Sequence, residues 1–245
     1  MREVRQPHAG PGWSELASSR DGYAAVLDPG DRVGAKNTLI DRVHRRVLAR
    51  VLSPLAGMSV VDFGCGTGRL TEWMAAQGAD VTGVDVTREM LQRARAAVPR
   101  AHFYEIDGFS LPLEAATQDA IVSVYVLQYY VGDDDAMAAL LSEFQRVLKP
   151  GGRVVAIEQA SEGDIGRGAS ISGYRDALIA AGYGGVSSRP VRLGDSRFTR
   201  WVERWPQLAD RVSALPSLIV REAQRTPSSA LTGERYADAL FLAGV

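Results

Sequence analysis

Three glycines at alternate positions, Gly64, Gly66 and Gly68, follow an apolar run that ends in Asp62 and Phe63. Glycines let the backbone turn tightly and let a ligand approach it with no side chain in the way. Thr67 can cap a helix that begins near Arg69, and Val60 and Val61 suit a strand covered on both faces. A strand passing through glycines into a helix is the crevice that holds nucleotide-like ligands in open α/β sheets. The spacing narrows the ligand. A dinucleotide-binding turn reads G-x-G-x-x-G, and here the third glycine comes one residue early. The Walker pattern is ruled out, because no Gly-Lys-Ser/Thr follows. Asp62 is a poor neighbour for a pyrophosphate and suits a ligand with an amino group and a sulfonium. It could equally organise the loop backbone.

Further carboxylates follow at strand ends. Asp85 can accept two hydrogen bonds from a vicinal diol, in the strong charge-assisted form; its plain reading is a helix cap at a strand end. Val86 beside it can pack on an aromatic ring. Asp107 can accept from an exocyclic amine, with the Gly108-Phe109 backbone completing that edge, or it can simply form a turn. Tyr125, Tyr129 and Tyr130 fall at the carboxyl end of a strand, where substrates bind in such sheets, although they could also be core aromatics. Glu158, at the end of the next strand, is a candidate to handle a proton or to hold nearby backbone. Cys65 reads as a small buried filler, with no histidine near it in sequence to activate it. His44, among arginines on a helix, reads as solvent-facing, His102 as structural, and His8 lies in a polar tail. No His–Asp pair and no metal-ligand cluster declares itself, so no metal is expected.

The elements that must position these residues alternate regularly. Helices are predicted over 13–28 and 36–52, before the first strand at Ser59. Then come a helix over 69–77, a strand over 81–86, a helix from the Thr87 cap to Pro99, and strands over 101–107 and 119–125. A helix over 136–148, a strand over 153–158, a loop over 161–172, a helix over 173–181 and a strand over 185–193 follow. Residues 197–225 read as helical with breaks at Pro206 and Pro216, and 235–242 as a closing strand. Strands separated by helices of this length imply βαβ units, a parallel sheet and right-handed crossovers. Phe198, Trp201, Val202 and Trp205 share helical spacing, which reads first as one buried face and otherwise as a substrate wall, a dimer seam or a lipid-facing patch.

The chain has 245 residues, a formal net charge of -1 and 46% hydrophobic residues. That length fits one α/β domain with embellishments. The charge balance offers no electrostatic footprint for nucleic acid. Arg42, Arg45, Arg46 and Arg50 fit the wet face of a helix. The single cysteine excludes an internal disulfide and fits a reducing compartment. No stretch reaches the length of a membrane span, and the first residues lack an apolar signal core. The expectation is a cytoplasmic protein, monomeric or homodimeric.

The run Val60-Val61-Asp62-Phe63-Gly64-Cys65-Gly66-Thr67-Gly68 resembles the first motif of class I S-adenosylmethionine-dependent methyltransferases. Gly83-Val84-Asp85, Ile106-Asp107-Gly108, Gln118 to Ser123, and Arg146 to Arg153 resemble the later motifs of that superfamily, in order. The resemblance covers about residues 36–160 and more weakly extends to 190. It implies an α/β, Rossmann-like, seven-stranded and mostly parallel sheet with helices on both faces, closed by an antiparallel pair of strands. Residues 1–56 would form an N-terminal helical lid, 57–193 the cofactor-binding core, 194–233 a helical insertion and 234–245 the closing strand. The cofactor would be S-adenosylmethionine, the product S-adenosylhomocysteine, and the acceptor an O, N or C of a small molecule. The resemblance places Tyr23, Asp62, Gly64, Cys65, Gly66, Asp85, Val86, Met90, Asp107, Gly108, Phe109 and Ser123 around the cofactor, with Tyr23 reaching its carboxylate. Glu158, Tyr125 and Tyr129 would face the acceptor. Two rivals stand beside this reading. One is an NAD(P)-dependent oxidoreductase on a similar sheet, disfavoured by the glycine spacing; the other is a non-catalytic protein that binds S-adenosylmethionine.

Overall fold

The computed structural model describes residues 12–162, 169–194, 196–208, 214–231 and 236–245. Two helices precede the sheet, α1 (Trp13–Ser19) and α2 (Ala35–Val51). The predicted helix over 13–28 breaks at Arg20, where the backbone is extended, and a short 3-10 turn follows over Gly22–Ala25. From Ser59 the alternation runs as read: β1 (Ser59–Phe63), α3 (Arg69–Ala76), β2 (Asp80–Asp85), α4 (Arg88–Ala97), β3 (His102–Glu105), β4 (Gln118–Val124), α5 (Asp134–Val147), β5 (Leu148–Ala160), α6 (Ile171–Ala180) and β6 (Gly184–Leu193). Then come α7 (Arg197–Arg204), α8 (Pro216–Arg225) and the closing β7 (Ala237–Gly244). The tail histidine His8 and much of the 161–172 loop lie outside the described residues.

The sheet has seven strands in the order β3-β2-β1-β4-β5-β7-β6. Strands β3, β2, β1, β4 and β5 pair in parallel, and β7 runs antiparallel to both β5 and β6. Strand order reverses at β1, between β2 and β4. The strand ends there form the crevice where ligands bind in open sheets. Alternate residues of β1 explain the two cores. Val60 joins α2, α3 and α8 on one face; Val61 and Phe63 join α5 and α6 on the other. Phe63 meets Phe144 edge to face at 4.8 Å, an arrangement that adds to plain area burial.

Helix α5 shows how the sequence sets an element. Asp133 caps it by accepting from the Ala136 N–H, and Asp134 and Asp135 fill its first turn. Both features favour a helix N-terminus. Met137, Leu140, Leu141, Phe144 and Val147 are its buried side, as their spacing predicts. Among the described residues, no helix is long and apolar enough to cross a membrane.

Candidate active site

The turn after β1 is built around backbone that side chains would block. Gly64 has φ +74°, and a Cβ there would lie 2.3 Å from Val126 Cγ2. The N–H groups of Gly64 and Cys65 both donate to the Val84 carbonyl, at 2.8 and 3.0 Å. This ties the turn to β2. Asp62 is buried, and its Oδ2 accepts from the Thr71 hydroxyl at 2.6 Å. It anchors β1 to α3. Burial pushes its carboxyl up to about 6. Cys65 is a buried free thiol, pushed well above its usual range by burial first and by Asp62 and Asp85 next.

Asp85 closes the turn from the β2 side. One oxygen accepts from the Gly66 N–H and the other from the Thr87 N–H, both at 2.8 Å. The second of these bonds serves the start of α4, so the capping role is real. A carboxylate has about four lone-pair sites, and the Thr87 hydroxyl and the Val86 N–H also bear on this one. Val86, next along, leaves 41% of its surface open at this point, a free apolar face beside the carboxylate. Asp107 accepts from the Phe109 and Ser110 N–H groups with Oδ1, at 2.9 and 2.8 Å. Those backbone donors hold its carboxyl below the usual range. Oδ2 has only a 3.5 Å approach from the Ser110 hydroxyl. Asp107 is therefore a turn former with one oxygen to spare. The Tyr130 hydroxyl donates to the Gly108 carbonyl, and Phe109 packs edge-on to Tyr130 at 5.6 Å. Met90 is buried in α4, and Ser123 is buried in β4.

Helix α1 lies across this region. Trp13 Nε1 donates to the Tyr129 hydroxyl at 3.2 Å, and the Ser14 hydroxyl donates to Glu89 at 2.9 Å. The helix thus bridges the exit of β4 to α4, on either side of the glycine turn. Nothing in the sequence pointed to Trp13. Tyr23, expected to reach a cofactor carboxylate, instead donates its hydroxyl to Asp41 at 2.7 Å. Its phenol is pushed up to about 12, by burial first and by Asp41 next. Asp41 also holds Arg69 and Arg45, at 2.8 and 2.7 Å. Arg45 is therefore an anchor, not part of a wet face. Tyr23, Arg45, Arg69 and Arg93 line a cleft of about 420 Å³ beside Thr67 and Gly68.

The two acceptor-side candidates on β4 and β5 point to opposite faces of the sheet. Glu158 is fully buried, and its Oε1 accepts from the Val126 and Leu127 N–H groups at 3.1 and 3.0 Å. Oε2 and the Ser123 hydroxyl are both buried, and the hydroxyl bears on this carboxyl. Burial pushes the carboxyl up to about 8, against the opposing pull of those amides. Burial first raises the Tyr129 phenol, against the pull of the Trp13 hydrogen bond. Tyr125 turns away. Its φ is +62°, and its ring meets His44 edge to face at 5.3 Å on the α2 side.

His44 corrects the sequence reading most sharply. It is fully buried, not solvent-facing, and its Nε2 lies 3.3 Å from Asp238 Oδ2. Burial lowers its pKa, so it is neutral. Arg192, also fully buried, grips the same carboxylate at 2.6 and 3.2 Å. A His–Asp pair therefore exists, and 194 positions of chain separate its members. The tryptophan segment also departs from expectation. Thr199 and Val202 form the buried face of α7, whereas Trp201 and Trp205 are exposed. Among the described residues, no group of three or more His, Cys, Asp or Glu side chains could hold a metal ion.

Comparison with known proteins converges on one family. Residues 61–156 match the model of a methyltransferase domain. A demethylmenaquinone methyltransferase of Tropheryma whipplei is 34% identical over 145 residues, covering 58% of this chain and 59% of that protein. The chain thus spans less than two thirds of that relative's length. Among solved structures, an S-adenosylmethionine-dependent methyltransferase from Aquifex aeolicus aligns over 95% of this chain and 98% of its own, with a TM-score of 0.59 at 16% identity. The [4+2]-cyclase SpnF aligns over 83% of this chain and 80% of its own, with a TM-score of 0.57 at 24% identity. These two likenesses concern the fold. Residues 61–156 thus match a methyltransferase domain, and the glycine turn, the acids at the strand ends and the single reversed strand lie on a fold shared with S-adenosylmethionine-dependent methyltransferases.

Proposed function

We propose that the chain moves a methyl group from S-adenosylmethionine to an O, N or C of a small-molecule metabolite, leaving S-adenosylhomocysteine. The bound cofactor supplies an electrophilic methyl on sulfur, which carries the difficult chemistry. The observation behind this reading is Asp85, a partly buried carboxylate at the end of β2 that pins both Gly66 and Thr87 beside the glycine turn. Asp85 would take the ribose hydroxyls, Val86 one face of the adenine, and Asp107 with the Gly108-Phe109 backbone its amino edge. The backbone at Gly64 and Gly66 would lie along the methionine part. Helix α1, held by Tyr129 and Glu89, would exclude water from above.

On the acceptor side, Tyr129, held by Trp13, and Glu158, which accepts from the backbone that leaves β4, are the candidates. With its carboxyl pushed up to about 8, Glu158 holds its proton at neutral pH. In that state it is a hydrogen-bond donor and a clamp on the Val126 and Leu127 backbone, not a base. An amine or an already acidic acceptor needs only positioning, whereas an ordinary hydroxyl needs a proton acceptor. The near-neutral charge of the chain and the kind of acceptor named for the Tropheryma relative favour a small metabolite over nucleic acid. A cytoplasmic setting and a monomer or homodimer complete the proposal.

Replacing Asp85 tests it. Asp85→Ala is expected to weaken S-adenosylmethionine binding by about 1.5–3 kcal/mol, the scale for hydrogen bonds to charged groups. Unchanged affinity by calorimetry would remove Asp85 from the site. A second reading, cofactor binding without methyl transfer, has one observation in its favour: a similar fold carries a protein described as a cyclase. Tight binding with no turnover across broad acceptor panels would favour it.

A further inference from the structure

Several large apolar side chains open to solvent lie on three segments that share one small buried cluster. Val33, in the loop before α2, is 73% exposed; Trp201 on α7 is 38%, Trp205 at its end 44%, and Leu218 on α8 55%. Their close neighbours in sequence, Ala35, Val202 and Ile219, form one small buried cluster with Leu39. Phe198 packs against that cluster and stacks on Trp201, with centroids 5.8 Å apart and rings 20° from parallel. The inner face of α7 is already committed to this cluster through Val202. The tryptophans point the other way, beyond what holding the helix down requires.

The charge around this face is one-sided. Among the described residues, Arg197, Arg204, Arg221 and Arg225 stand exposed on α7 and α8, against Glu203 and Glu222. Glu203 is itself held by Lys36 at 2.9 Å. The whole chain carries a net charge of -1, so this is a local cationic excess. A second copy of the same face would bring arginines against arginines. A lipid surface bearing phosphates satisfies both features. Tryptophan rings settle at the headgroup level, and arginines beside them meet anionic headgroups. We infer that the face formed by the Val33 loop, α7 and α8 docks the protein peripherally on an anionic bilayer surface, with Trp201 and Trp205 entering the headgroup layer. The inference is independent of which acceptor is methylated.

The test uses the full chain and extruded vesicles of phosphatidylcholine, alone or with about one third phosphatidylglycerol. The chain should co-sediment with the anionic vesicles and much less with the neutral ones. R197E/R204E should lower that partitioning about tenfold or more, given the contribution of each basic residue near an anionic surface. W201S/W205S should lower it several-fold and remove the blue shift of tryptophan emission on vesicle addition. All four residues are exposed, so both variants should melt as the wild type does, which separates lost docking from lost folding. Absence of binding, equal binding to both vesicle types, or unchanged binding by both folded variants would overturn the inference. So would a dimer in sedimentation velocity that W201S/W205S dissolves, since that assigns the face to a second copy.

Discussion

Glu158 and Asp238 are both fully buried, yet their carboxyls are pushed in opposite directions, because only Asp238 has cationic and hydrogen-bonding partners strong enough to outweigh burial. For Glu158 the folded carboxyl lies at about 8, against 4.5 for an unperturbed group. Between those values the folded chain keeps a proton that the unfolded chain has released. Stability must therefore fall as pH rises through this window and level off above it. Melting curves across pH 5–9 should show that decline in the wild type, and Glu158→Gln should flatten it. A slope unchanged by the substitution would show that Glu158 does not carry the effect. Asp238 goes the other way. Despite burial, Arg192 and His44 hold its carboxyl far below the usual range. Asp238→Asn leaves Arg192 buried without a countercharge, and should cost about 3–5 kcal/mol in urea unfolding. A loss under about 1 kcal/mol would mean that water or a shifted carbonyl replaces the carboxylate. Acids at strand ends were legible in the sequence because their spacing after the glycine turn is local. The His44–Asp238 contact was not, because no local spacing relates residues 194 positions apart. A faint signal existed: Asp238 interrupts the apolar run from Ala237 to Ala243, and Arg192 sits between Val191 and Leu193. Charges inside buried strands announce that partners exist without naming them.

At the scale of elements, the glycine turn and the exit of β4 are built against each other. Val126 occupies the space beside Gly64 that any side chain there would need. Gly64→Ala combines a left-handed backbone with overpacking and should cost about 2–4 kcal/mol by chemical denaturation. Much of that cost should return in a Val126→Ala background, because the atom nearest the new methyl is then gone. Equal costs in both backgrounds would place the strain in the backbone alone. Helices and parallel strands were legible because their apolar periodicity is strong. The first helix was not. Apolar spacing continues past Ser19, but Arg20 is extended and its backbone carbonyl is taken by Arg93. Tertiary contacts overrode local propensity there. The turn at Lys149–Gly152 also behaves differently from its reading. It does not separate α5 from the strand; β5 already begins at Leu148, which pairs with Gln118 before the register shifts.

On the scale of the whole molecule, the sheet order places the glycine turn at the point where strand order reverses, with α1 above it and α2 along one face. The closing strand β7 completes the sheet and carries Asp238 to α2. The cofactor side of such a fold is readable from short motifs, since backbone turns and strand-end acids lie close in sequence. The acceptor side is not, because it is assembled from α1, the β4 exit and the end of β5, which meet only in three dimensions. Ligand choice is therefore the central test. Titration calorimetry of the purified chain with S-adenosylmethionine, and in parallel with NADH, measures it directly. One site per chain should fill with S-adenosylmethionine, with no heat from NADH and with the affinity reduced in Asp85→Ala. Binding of NADH in its place, or no binding of S-adenosylmethionine to the folded chain, would contradict the assignment of the crevice at the end of β1.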